Sequence, residues 1–238
     1  MRTEHVVTNS RPTIQPKDVP HASSTEDLRV TCRLLAGGVI AGPLFVLVAL
    51  AQILTRPGFD ITRHPVSLLS LGDLGWIQSA NFLVTGLFTI ACAIGTRRVL
   101  RGGPGSTWAP ALLVIYGTGF AAASVFHADP GNGFPPGTPD SIPATMSWHG
   151  TLHMVFGSLA FLTLIAVCVV FARRFAAVKQ RGWAIGSVIA GLLFAIGLGN
   201  AMSGGSAGSL TLFVGASIAL IWVALTSSHL IAETRNES

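Results

Sequence analysis

Residues 34–54 read LLAGGVIAGPLFVLVALAQIL, an unbroken uncharged run. A helix needs about 20 mostly apolar residues to cross a hydrocarbon core of roughly 30 Å, so this run predicts a membrane-spanning helix. Five more runs of that order follow, at 77–96, 108–126, 149–172, 183–202 and 210–231, and the breaks between them hold nearly all the Asp, Glu, Lys and Arg of the chain. The pattern predicts an all-α fold, a six-transmembrane-helix bundle, with a polar tail over 1–28, one membrane domain over 29–232 and a short tail over 233–238. Composition agrees. Of 238 residues 50% are hydrophobic and only 11% charged, and mean hydropathy is +0.61, whereas soluble proteins carry about 25% charged residues. A soluble enzyme, a secreted disulfide scaffold and a disordered regulator are thereby excluded.

The net charge of +5 and pI near 9.9 are explained by where the cations fall. Short cytoplasmic loops accumulate Lys and Arg. Arg29 and Arg33 precede the first run, Arg97, Arg98 and Arg101 follow the second, Arg173, Arg174, Lys179 and Arg181 follow the fourth, and Arg235 follows the sixth. With six spans all of these share one side, and only Arg56 and Arg63 lie on the other. Both termini are therefore expected in the cytoplasm of a multi-pass cell-membrane protein, in contact with membrane lipids. No basic cluster interleaved with aromatics points to nucleic acid. Residues 1–27 lack an apolar core and read as a flexible leader, not a cleaved signal. Cys32, Cys92 and Cys168 are an odd set without a CxxC pair, and they are expected to stay free thiols. Gly38-x-x-x-Gly42 and the small residues of the fifth run read as helix packing within one chain.

Polar groups within a membrane domain need partners and mark function. On the alternating topology they gather at the extracytoplasmic end: Gln52, Gln78, Asn81, Ser124, His127, His149, His153, Asn200 and Ser203. Pro65 and the following Val66-Ser67-Leu68-Leu69-Ser70 suggest a short amphipathic interfacial helix. The Gly/Pro-rich stretch 131–139 is long enough to cap the bundle. His149 and His153 are spaced i, i+4, so both imidazoles share a helix face, a spacing that suits a metal ion. His127 completes a candidate zinc set, and Asp129, Asp60 and Ser67 are the candidate catalytic groups. His64, Arg63 and Asn81 are candidate contacts for a lipid headgroup or small ligand. The same histidines can instead lock the loops by hydrogen bonding, and Arg56 and Arg63 can be ordinary loop charges.

The elements FDITRHPVSLLSLGDLGWIQ (59–78), NF (81–82), FHADP (126–130), GFPPGTP (133–139) and HGTLH (149–153) together resemble the bacterial membrane family called domain of unknown function 998, over 34–231. That resemblance implies a multi-pass membrane protein and brings no established activity. The Ser, Asp/His and HxxxH elements are also similar to the membrane hydrolases that include alkaline ceramidases and adiponectin receptors. This similarity implies zinc on His149, His153 and His127, with Asp129 and Ser67 assisting hydrolysis of lipid amides or esters. The chain departs from those hydrolases in having six runs instead of seven, in an HxxxH that opens the fourth run, and in motif order.

Overall fold

A computed structural model describes residues 25–141 and 143–236. The leader expected over 1–28 lies outside the described residues as far as 24. Its last four positions, Thr25 to Leu28, already belong to the first helix. All regular structure among the described residues is helical: α1 (Thr25–Thr55), α2 (Gly75–Val99), α3 (Trp108–Ala123), α4 (Trp148–Ala177), α5 (Arg181–Met202) and α6 (Gly208–Asn236), with a 3-10 helix at Val66–Ser70. Glu26 and Asp27 in the first turn of α1 face the positive end of its dipole, so the helix begins before the apolar run does. At the other end of the chain α6 continues to Asn236, through most of the expected tail.

Five of the helices are long and apolar enough to cross a membrane. The exception is α3, whose 16 residues give about 24 Å of helix at 1.5 Å per residue. It ends at Ala123, although turn hydrogen bonds carry the coil on to Phe126. Each helix packs on its neighbours in chain order, and α1 also packs on α6, so the six form a closed ring. Gly38 and Gly42 make that closure possible. A Cβ on Gly38 would meet Cys92 Sγ and Ser227 Oγ at 2.4 Å, and one on Gly42 would meet the Leu220 carbonyl at 2.5 Å. The Gly-x-x-x-Gly stripe thus packs α1 against α2 and α6 within the chain. Cys32, Cys92 and Cys168 are free, and Trp222 satisfies its indole N–H on Ser187 Oγ at 3.0 Å.

The ring has two unlike ends. One carries the start of α1, the end of α6 and the cationic turns. The other is covered by the connections from α1 to α2 and from α3 to α4. In the first of these, the interfacial helix expected after Pro65 is a single 3-10 segment turned inward, with Leu68, Leu69 and Ser70 buried. Its i to i+3 bonds, Leu68 N–H to Pro65 O and Leu71 N–H to Leu68 O, bring two consecutive leucines onto the bundle and leave too few residues for an amphipathic α-helix.

Candidate functional site

The connection after α1 is organised by its own polar groups. The Asp60 carboxylate accepts the Thr62 N–H at 2.9 Å and the Thr62 hydroxyl at 2.7 Å. These bonds hold its carboxyl below the usual carboxylate range. The Asp60 N–H donates to His64 Nδ1 at 2.9 Å, which places the ring proton on Nε2. From there it is donated to the Asn132 carbonyl at 2.8 Å. His64 is buried, with its ring 5.4 Å from Phe59 and 5.5 Å from Phe134, and those two phenyl rings meet edge to face at 5.3 Å. The 131–139 stretch therefore folds inward as a cap, pinned by a fully buried Phe134. Arg63 joins the two connections from outside by an ion pair with Asp140, half of its side chain remaining exposed.

Arg56 lies beneath this cap. It is only 9% exposed, and its guanidinium stands 5.8 Å above the Phe134 ring. Nη2 donates to the Leu71 carbonyl. Nη1 is buried and finds no hydrogen-bond partner among the described residues. Loss of hydration pulls the guanidinium below its ordinary value, partly offset by the field of Asp73, yet among the described residues no carboxylate forms an ion pair with it. One helical turn earlier on α1 is Gln52, whose Nε2 donates to Gln78 Oε1 of α2 at 2.7 Å. Asn81 Nδ2 donates to the Phe45 carbonyl at 3.2 Å and to Gln78 Oε1 at 3.4 Å. Gln52, Gln78 and Asn81 are all buried, and Gln52 Oε1, Gln78 Nε2 and Asn81 Oδ1 join Arg56 Nη1 as buried polar atoms without a partner among the described residues. Buried groups left unpaired cost about 1–3 kcal/mol each, and these four lie toward one end of the bundle.

The histidines of the α3–α4 side are engaged separately. His153 Nδ1 bonds to the Phe126 carbonyl at 2.8 Å. His127 Nε2 lies 3.1 Å from Ser79 Oγ and 3.2 Å from the Ser124 carbonyl. The His149 ring rests on Trp148, with centroids 3.7 Å apart, and on Phe126 at 5.9 Å. Among the described residues no group of three or more His, Cys, Asp or Glu side chains is placed to hold a metal ion. The zinc set read from His127, His149 and His153 is thus not assembled. The i, i+4 spacing put both α4 histidines on one face, but backbone and aromatic partners turn the rings to different tasks.

Of the candidate catalytic groups, the two carboxylates make structural hydrogen bonds. Asp129 accepts the Ser147 N–H at 2.8 Å and the Ser147 hydroxyl at 2.5 Å, while Ser147 Oγ caps α4 by accepting the Gly150 N–H at 3.0 Å. Gly150 is required there, since a Cβ would lie 2.2 Å from Asp129 Oδ2. Asp60 is exposed and spent on the turn, and Ser67 lies in the 3-10 helix, where its carbonyl accepts from Ser70 Oγ at 2.7 Å. Of the expected ligand contacts, His64 and Asn81 sit in the buried networks and Arg63 does not. Arg56, Gln52 and Gln78 complete the cluster. Their signal in the sequence was the i, i+4 spacing of Gln52 and Arg56 and the i, i+3 spacing of Gln78 and Asn81, which place each pair on one helix face.

Residues 39–229 match the family model described as protein of unknown function (DUF998). The chain belongs to the DUF998 family. The match runs from within α1 to within α6 and so includes both connections that build the cap. With its apolar helices, this makes the chain a multi-pass integral membrane protein. Comparison with curated proteins and with solved structures finds no match.

Proposed function

We propose that this DUF998 protein crosses the cell membrane six times, with both termini in the cytoplasm, and that its capped, extracytoplasmic end binds a small polar ligand or lipid headgroup bearing negative charge. The sixth span is α3, extended by its terminal turns. Orientation follows from the clustering of cationic turns at the opposite end. The observation that carries the binding reading is the buried guanidinium of Arg56, with one nitrogen unpartnered and no ion pair to a carboxylate among the described residues, Asp73 acting on it only through its field. An anionic oxygen on Nη1 would supply both the missing hydrogen bond and the missing charge. Gln78 Nε2, Gln52 Oε1 and Asn81 Oδ1 offer one donor and two acceptors to neighbouring polar atoms. Phe134 and Pro135 cover the approach, so entry requires the cap to lift.

Calorimetric titration of the detergent-purified protein with sn-glycerol 3-phosphate, inorganic phosphate and glycerol tests this. Saturable heat with the two anions, little with glycerol, and loss of the heat in Arg56→Gln are expected. Absence of saturable binding by either anion in a well-folded wild type would contradict the reading.

A further inference from the structure

The opposite end of the bundle carries a different feature, independent of the capped site. Two grooves flank α1 near its start. One, of about 420 Å³, runs between α1 and α2, with Leu34, Ile40, Phe88 and Ala91 among its walls. The other, of about 430 Å³, runs between α1 and α6 past Leu28, Cys32 and Ile231. Arg33 and Ala36 line both, but Thr25, Arg29 and Arg235 also line the second, so the two residues form the ridge between an apolar trough on the α2 side and a cationic one on the α6 side. Arg29 stands one turn before Arg33 on the same ridge. Both arginines are exposed, and neither forms an ion pair with a described residue.

Depth makes the arrangement specific. Arg33 lies about 12 Å inside the first residue of α1 at 1.5 Å per residue, and the uncharged run begins at the next residue. The guanidinium is therefore at the level where hydrocarbon gives way to headgroups, with the α1–α2 trough leading from it toward Ile40 and Phe88 and the cationic trough lying on its headgroup side. The small side chain of Ala36, one turn deeper, leaves the saddle open, and Ile40, 47% exposed, continues the ridge. A phospholipid has the matching form, an anionic phosphate at the head of an apolar chain. The unpaired arginines select one with net negative charge.

We propose that α1 at this end binds one anionic phospholipid of the surrounding leaflet, with phosphate on Arg29 and Arg33 in the cationic groove and an acyl chain in the α1–α2 groove. Native mass spectrometry of the full chain, presented in detergent with equimolar phosphatidylglycerol and phosphatidylcholine, reads this directly. The expected result is a bound-lipid ratio favouring phosphatidylglycerol by about tenfold, falling to near one in Arg29→Gln/Arg33→Gln. Ala36→Trp, which fills the saddle and keeps the charge, should lower retention of phosphatidylglycerol. Arg101→Gln/Arg173→Gln removes the same charge elsewhere at this end and should leave the ratio in place. Equal binding of the two lipids by the wild type would overturn the proposal, as would an equal fall in both double variants. So would a lipid-free dimer held through α1. Because the capped end is unaltered in all these variants, their outcome is separate from glycerol 3-phosphate binding.

Discussion

The two ends of the bundle treat arginine in opposite ways. At the end bearing the termini, Arg29, Arg33, Arg101 and Arg173 are exposed. At the capped end one arginine, Arg56, is folded beneath two connections, buried and left with a nitrogen that has no partner among the described residues. Counting charges finds the first end and overlooks the second. Burial without an ion pair is the feature that sets Arg56 apart, because a buried cation lacks the hydration that the exposed arginines keep.

The comparison breaks most readily at Phe134. Its fully buried ring joins Phe59, His64 and Arg56, so Phe134→Ala should cost about 3–5 kcal/mol. Thermal unfolding should register the loss, and limited proteolysis should cut first within 131–139 while the other end stays protected. Asp129→Ala removes the acceptor of two Ser147 bonds and loosens the cap of α4. A loss of about 1–2 kcal/mol is expected, with Asp129→Asn recovering part of it. If Asp129 were instead a catalytic base, the alanine variant would leave stability unchanged.

These variants also show how far the sequence could be read. The apolar runs located all six helices, because a stretch free of charge over this length has few other uses, and the Gly/Pro content of 131–139 marked a cap. Spacing on a helix gives the face and no more. His149 and His153 share one, but whether their nitrogens converge depends on Trp148 and on the Phe126 carbonyl, which other segments bring into place. Pattern likewise offered no means of seeing that Leu68 and Leu69 turn inward. Arg56 was legible as a charge in a short connection, whereas its burial depends on Phe134, seventy-eight positions later.

Smaller effects sharpen the contrast. Arg63→Ala breaks the exposed ion pair with Asp140 and should cost less than about 1 kcal/mol, with added salt weakening the wild type toward the variant. Retention of anion binding in that variant would separate Arg63 from Arg56. Acid should act on the same connection through Asp60. Its carboxyl is held below the ordinary value of 3.8 by Thr62, so its stabilising contribution is present above that value and is lost as pH falls through the lower folded-state value. Thermal unfolding between pH 5 and pH 2, as approximate limits around the ordinary carboxylate range, should show a small extra loss that Asp60→Asn abolishes.

The central claim is that the capped end is where this protein holds a ligand, and hydrogen exchange of the purified full chain with and without sn-glycerol 3-phosphate tests it most directly. The account predicts added protection in the segments around Arg56, Leu71 to Asn81 and Phe134, and unchanged exchange at the start of α1 and the end of α6. Protection confined to the arginine-rich end, or none anywhere at saturating ligand, would contradict it.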